Sequence, residues 1–243
     1  MTLRVGDKSG TFYVHDVATL QMLKSFGGEE HLLSLLVSLL RPGDTVYDIG
    51  AEQGLYTVFC SKAVRDEGRI IAFEPEGSRH ERFRGNVRLN RLTNVRVFRL
   101  ALSDHSSRGT LHRAEIGRAP ALSAVDLEED NAESERVTVV PGDLIVEEKK
   151  LPLPAVVKID VEGHELSVLR GLRYTLSGPL CRVVCCEIHP SLLPIGVQPS
   201  DVVNLLRSFG FSRIDTFLRH PDQHVVAYKN QGCGFSPPFK TAP

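Results

Sequence analysis

Val46-Tyr47-Asp48-Ile49-Gly50-Ala51-Glu52-Gln53-Gly54-Leu55-Tyr56-Thr57 reads as a strand ending in an acid, a turn carrying glycines, and the opening of a helix. A clear alternation surrounds it. Strand-like runs are Thr45–Asp48, Arg69–Phe73, Val95–Ala101, Ala155–Ile159 and Arg182–Glu187, and helical stretches are Leu55–Val64, Arg79–Asn90, Glu165–Leu176 and Pro199–Phe209. Strands that are apolar almost throughout, such as Val183-Val184-Cys185-Cys186, suit a parallel sheet covered on both faces. Repeated β-α-β order implies right-handed crossovers and a doubly wound α/β sheet. Phe211–Phe217 and His224–Tyr228 read as an antiparallel pair closing one edge.

In such a sheet ligands bind beyond the carboxyl ends of the strands. Gly50 lets the turn approach a ligand without a Cβ in the way, and Gly54 lets the helix start pack near the strand. The spacing Gly-x-x-x-Gly lacks the second glycine of a pyrophosphate cradle, and Asp48 would repel phosphates. The same carboxylate would attract an amino group or a sulfonium. The turn therefore favours a cationic, phosphate-free cofactor of the S-adenosylmethionine kind over a dinucleotide. Glu74, at the end of Ile70-Ile71-Ala72-Phe73-Glu74-Pro75, stands 26 residues after Asp48, about one β-α-β repeat on. An acid at that position is placed to accept hydrogen bonds from two ribose hydroxyls. Ser103 or Asp104, after the third strand, can receive an adenine amino group or can simply initiate a turn.

Val157-Lys158-Ile159-Asp160-Val161-Glu162-Gly163-His164-Glu165 ends the fourth strand and opens a helix. Lys158 and Asp160 share a face, and a lysine inside a buried strand needs a partner such as Asp160. Glu162 and Glu165 can be read as acids that favour a first helical turn. Glu187 and His189 alternate onto one face at the end of the fifth strand, and His189 can deprotonate a substrate hydroxyl or cap the turn before Pro190. Asp160, Glu187 and His189 also offer donors for a divalent cation, but no spacing rule demands one and no metal is assigned.

The 243 residues suit one domain with additions. A formal net charge of −1 gives no general attraction to nucleic acid or to an acidic membrane. Arginines at 79, 82, 84, 88, 91, 96 and 99 form a basic stretch, but no aromatic residues interleave with it to stack bases, so nucleic acid is not the expected partner. No apolar run is long enough to span a bilayer and the first residues carry no signal-peptide pattern, so the cytoplasm is the expected location. Five cysteines without a CxxC pair argue against a disulfide scaffold or a structural zinc. Residues 1–42 read as a hairpin and a helix packing on a core domain over 43–229. Residues 103–136 read as an insertion with a possible strand near Gly109–His112 and an acidic, solvated run over 126–135, and 230–243 as a mobile tail.

Taken in order, Tyr47-Asp48-Ile49-Gly50-Ala51 with Gly54 and Tyr56-Thr57, Ala72-Phe73-Glu74-Pro75, Asn86-Val87-Arg88-Leu89-Asn90, Ala101-Leu102-Ser103-Asp104, Lys158-Ile159-Asp160-Val161-Glu162-Gly163 and Glu187-Ile188-His189 resemble the FkbM family of S-adenosylmethionine-dependent methyltransferases over about residues 43–190. The resemblance implies a Rossmann-like class I methyltransferase fold and mainly O-methylation of small molecules or glycans. Glu52 departs from it, since a neutral residue is more usual there. The expected cofactor-binding set is Asp48, Gly50, Ala51, Glu52, Gly54, Tyr56, Glu74, Pro75, Ser103 and Asp104. The expected catalytic set is Asp160 and His189, which orient and deprotonate the acceptor, with Glu187 and Lys158 in support. An RNA methyltransferase, a nucleotide-linked oxidoreductase and a module that only binds the cofactor are the alternatives.

Overall fold

A computed structural model describes residues 1–112, 121–123, 134–219 and 221–229. The chain opens with a hairpin of β1 (Thr2–Val5) and β2 (Lys8–Thr11), then α1 (Val17–Ser25), a 3-10 turn at Phe26–Gly28 and α2 (Glu30–Leu39). The alternation follows: β3 (Thr45–Ile49), α3 (Leu55–Val64), β4 (Arg69–Phe73), α4 (Gly77–Leu89) and β5 (Val95–Phe98). A second group of strands comes next, β6 (Ala101–Ser103), β7 (Ser107–His112), β8 (Ala121–Ser123) and β9 (Ser134–Pro141), leading into α5 (Gly142–Glu148). The chain returns through β10 (Val156–Ile159), α6 (Glu165–Gly171), α7 (Arg173–Ser177), β11 (Val183–Ile188) and α8 (Pro199–Ser208), and ends in β12 (Arg213–Arg219) and β13 (Asp222–Tyr228).

The main sheet runs β12-β13-β11-β10-β3-β4-β5. Its five strands from β11 to β5 are parallel, and β13 pairs antiparallel with both β11 and β12. The crossover from β3 outward to β4 and back to β10 puts the topological switch between β3 and β10, where a crevice must open above the strand tips. Alternate residues divide the core. Tyr47, Ile49, Val157, Ile159, Val184 and Cys186 face α6 and α8, whereas Val46, Val156, Val183 and Cys185 face α2, α3 and the N-terminal hairpin. Cys185 and Cys186 thus point to opposite faces, and with Cys60 and Cys181 they are buried free thiols.

Several boundaries differ from the sequence reading. Val95–Ala101 is not one strand: β5 stops at Phe98, and Ala101–Ser103 pairs in parallel with β9 in a separate sheet ordered β6-β9-β7-β8. Most of the described residues within 103–136 are therefore sheet, while 113–120, most of the acidic run over 126–135 and the tail over 230–243 lie outside the described residues. Glu165–Leu176 is two helices, divided at Leu172; at the end of the first, a Cβ on Gly171 would fall 1.7 Å from the Ser103 carbonyl oxygen, so α6 and β6 meet backbone to backbone. The sequence reading does not contain α1, β9 or α5.

Asn86 on α4 and Asn90, which caps its C-terminal end, dock the N-terminal hairpin. Asn90 Oδ1 accepts from Thr11 N at 2.9 Å and its Nδ2 donates to Thr11 O at 2.6 Å, so one side chain imitates a strand neighbour. One helical turn earlier, fully buried Asn86 accepts from Tyr13 N at 3.0 Å and donates to Gln53 O at 2.9 Å, tying hairpin, helix and glycine turn together. Asn86→Leu keeps the volume but strands both backbone groups, and is expected to cost about 2–4 kcal/mol in a urea unfolding measurement.

Candidate active site

The glycine turn follows β3 and is tied across to β4, with the N–H groups of Gly50 and Ala51 both donating to Phe73 O. Gly50 has φ +74°, and a Cβ there would lie 1.7 Å from the Asp160 carbonyl oxygen. The tips of β3 and β10 approach so closely that only glycine fits. Gly54, φ +85°, caps α3 and packs against the Phe83 ring, where a Cβ would come within 2.4 Å.

Beyond these tips lies a crevice of about 650 Å³, open solvent at its mouth included. Its polar lining includes Glu52, Glu74, Glu76, Arg79, Asp160, Glu162 and His164; its apolar lining includes Ile49, Phe73, Leu100, Leu102 and Leu111. Of the expected cofactor-binding residues, Gly50, Glu52, Glu74 and Pro75 line it. Glu74 is held by two backbone donors, Glu52 N to Oε2 at 2.8 Å and Glu76 N to Oε1 at 2.9 Å. Burial nevertheless pushes its carboxyl up to about 8, against the opposing pull of Arg79 and those N–H groups. Each of its oxygens has one amide donor and keeps a further acceptor site, which suits a ligand that brings hydroxyls. Glu52, in the left-handed region at φ +49°, shares Arg79 with Glu76 (2.5 and 2.7 Å), so the trio keeps a net negative charge, and Glu52 helps to raise Glu74. Arg79 is thus the member of the basic stretch that enters the site.

Asp48 does not meet its expectation as a cofactor ligand. The strand runs one residue further than the sequence reading, to Ile49, and Asp48 falls on the α3 face. There it is buried, accepts from Thr57 Oγ1 at 2.6 Å and lies 3.8 Å from Lys158 Nζ. Ala51, Gly54, Tyr56 and Ser103 are also buried outside the lining, and Asp104 is an exposed partner of His105 at 2.8 Å. Ser103 instead braces His164, whose Nε2 is 3.0 Å from its hydroxyl and whose ring lines the crevice.

The expected catalytic residues do come together. Lys158 is buried, donates to Gly50 O at 2.8 Å, pairs with Asp160 at 3.1 Å and sits over the Tyr56 ring. His189 Nδ1 lies 2.8 Å from Glu165 Oε1, which also accepts from Gly163 N, so this nitrogen carries the hydrogen. Its Nε2 faces Glu162 at 3.6 Å, Asp160 at 3.8 Å and Glu187 at 4.0 Å. Burial pulls the imidazole down, but the Glu165 hydrogen bond and the acids around it prevail and raise it to about 9. A ring so held keeps its proton at neutral pH. These partners place His189 to orient and balance charge while its ring is protonated, whereas the sequence reading gives it the proton-accepting role. Burial pushes Glu162 up to about 7, within reach of neutral-pH proton exchange. The sequence signal for that role was a third acid, at the third position of Asp160-Val161-Glu162 and next to glycine, and it was read as helix chemistry.

Glu187 accepts from Arg219 NH1 at 2.7 Å and lies 3.2 Å from His224 Nε2. Burial acts to raise Glu187, but His224, His189 and Arg219 bring it down to about 2. Arg219 also reaches Glu29 at 3.5 Å and the Gly27 carbonyl, and Tyr56 donates to Glu29 at 2.7 Å. With Glu187 and His189 these side chains form a polar cluster, the basin, next to the Asp160 and Glu162 edge of the crevice, and sequence reasoning found neither Glu29 nor Arg219 because they lie 190 positions apart.

The family described as the methyltransferase FkbM domain matches residues 48–213. The chain belongs to this family. It is an S-adenosylmethionine-dependent methyltransferase with the class I fold. The methyltransferase is 30% identical over 226 residues to the hexuronic acid methyltransferase AglP of Haloferax volcanii, covering 93% of this chain and 87% of that protein. It is 29% identical over 219 residues to the 31-O-demethyl-FK506 methyltransferase FkbM of Streptomyces tacrolimicus, covering 77% of this chain and 81% of that one. A solved structure of a methyltransferase FkbM from Methylobacillus flagellatus superposes with a TM-score of 0.55 at 17% identity, over 88% of this chain, which spans 56% of that protein's length. No helix among the described residues is long and apolar enough to cross a membrane.

Gly50→Ala sets a methyl group against a backbone carbonyl that cannot retreat, and is expected to cost about 3 kcal/mol or more in the unfolding midpoint. Gly196 has φ +85° but open space around it, so Gly196→Ala is expected to lose only about 1 kcal/mol.

Proposed function

We propose that the methyltransferase transfers a methyl group from S-adenosylmethionine to an oxygen of a small molecule or glycan, with a sugar acid among the acceptor classes to be tried first. The observation that carries the reading is Glu74: a buried carboxylate, fixed by two backbone N–H groups, with spare acceptor capacity aimed into the crevice. In this reading it takes the two ribose hydroxyls of the cofactor. The apolar wall of Leu100, Leu102 and Leu111 suits an adenine ring, and Asp160, at the junction of crevice and basin, suits the cationic end. When bound, the cofactor supplies an electrophilic methyl on a sulfonium sulfur.

The chain's own work is to hold an acceptor oxygen in line and relieve it of its proton. Lys158 fixes Asp160 and the Gly50 carbonyl in one arrangement. The acceptor hydroxyl enters the basin between Asp160 and His189 and passes its proton to the carboxylates there, with Glu162 the best matched to neutral pH. His189 stays cationic and steadies the oxygen as its charge develops. The hexuronic acid in the name of the Haloferax relative and the 31-O-demethyl-FK506 in that of the Streptomyces relative support an oxygen acceptor on a glycan or small molecule.

S-adenosylhomocysteine, which shares the ribose, is the probe for calorimetry. Glu74→Gln is expected to weaken its binding by about 1–3 kcal/mol, the loss of charge-assisted hydrogen bonds. Hydroxyls donating to Glu74 favour its ionised form, so bound Glu74 titrates below the value near 8 of the empty site. Wild-type affinity should therefore rise as pH climbs from 6 to about 8 and then level off, with proton release at neutral pH. Glu74→Gln should lose that part of the profile, leaving only the ligand's own amino titration. Equal binding and equal pH profiles for the two proteins would remove Glu74 from the site.

A further inference from the structure

Around His189 the charges do not close. Four carboxylates lie within 4.0 Å of its ring nitrogens, from Glu165, Glu162, Asp160 and Glu187. Lys158 balances Asp160 and Arg219 balances Glu187. Among the described residues Glu162 and Glu165 have no lysine or arginine partner, so the imidazole alone faces two further negative charges.

We infer that Asp160, Glu162 and His189 form a binding site for a hard divalent cation of the Mg²⁺ or Mn²⁺ kind at the reacting end of the crevice. The inference rests on the methyltransferase reading for what the cation would do, but not for its existence. One donor atom from each of the three residues lies within 4.8 Å of the others. Donors about 2.1 Å from a small cation stand about 3.0 Å apart when adjacent and about 4.2 Å apart when opposite. The separations from His189 Nε2, 3.6 Å to Glu162 and 3.8 Å to Asp160, are wider than adjacent ligands require, so the two exposed-side carboxylates close on the ion by side-chain rotation while the buried ring stays fixed.

A second observation points the same way. His189 is 6% exposed, its Nδ1 is committed to Glu165, and its Nε2 faces the carboxylates from beyond hydrogen-bond reach. A buried imidazole whose far nitrogen donates to a carboxylate is the usual outer support of a metal-binding histidine; a cation binding here displaces the Nε2 proton to solvent and takes over the charge balance that the imidazolium supplies without it. Glu165 is itself fully buried and fixed by Gly163 N, so the ring has little freedom to turn away. Two neighbouring groups of similar composition, Glu29–Glu187–His224 and Glu187–His189–Asp222, both depend on Glu187, which Arg219 already occupies. Three protein ligands leave coordination positions open, and one or two acceptor oxygens would fill them. A vicinal pair of hydroxyls, or a hydroxyl beside a carboxylate, is the ligand chemistry such a site takes.

The test is Mn²⁺ titration followed by electron paramagnetic resonance, with S-adenosylhomocysteine calorimetry on the same samples. The expected result is one bound Mn²⁺ per chain, displaced by excess Mg²⁺, and weakened about tenfold or more in Glu162→Gln and in Glu165→Gln. Glu165→Gln leaves all three ligands in place and disturbs only the ring's support. Melting curves check that each variant is folded, and if one is not, the other carries the comparison. Wild-type protein that binds S-adenosylhomocysteine but no Mn²⁺ at millimolar concentration overturns the cation site and leaves the methyltransferase reading intact. Mn²⁺ binding lost in Glu29→Gln but unchanged in both other variants moves the ion to the neighbouring group and also overturns it. Mn²⁺ binding without any S-adenosylhomocysteine binding supports the site and removes the proposed use of it.

Discussion

A lysine ammonium in the middle of a parallel sheet must be surrounded by acceptors before the chain can fold around it, and Lys158 sets the geometry of everything near the switch point. Its nitrogen binds the Gly50 carbonyl and Asp160 and stands close to Asp48, so one charge joins the glycine turn, the tip of β10 and the interior of β3. Leaving a charge of this kind unpaired would cost several kcal/mol. The arrangement also accounts for Gly50, whose carbonyl can reach Lys158 only if the turn lies against the β10 backbone, too close for a side chain.

On this base the structure divides its carboxylates by task. Asp48 and Asp160 answer the buried lysine. Glu74 is fixed by amides and keeps capacity for a ligand, while Glu52 and Glu76 share Arg79. Glu162, Glu165 and Glu187 surround His189. The summed field in the crevice is negative, which suits a sulfonium and an ammonium group and disfavours a pyrophosphate. Burial raises several of these acids, a cost that a fold accepts where a cationic ligand recovers it.

Much of the main sheet was legible in the chain because parallel strands buried on both faces read as apolar runs, and α3 was bounded correctly by its glycine turn. Glu74 was legible because its position relative to a strand end is nearly topological. Asp48 was not, since a one-residue error in a strand's end reverses the face of its last side chain. The small sheet was hidden because β6 and β9 pair across more than thirty residues and β6 is only three residues long. Lys158, Asp160, Glu187 and His189 could be grouped from strand order, but the roles within the group depended on Glu165, a buried acid that looks like an ordinary helix-opening residue in the sequence.

The polar basin around Glu187 is held by Arg219, near the end of the described chain, hooked onto the Gly27 carbonyl and Glu29, near its beginning. Neither of these segments lines the crevice that contains Glu74. On the proposed reading, recognition of the molecule to be modified is housed apart from the reagent that modifies it. A lineage could remodel the receiving wall, exchange one hydroxylated guest for another, and leave the donor compartment and its supporting sheet as they are.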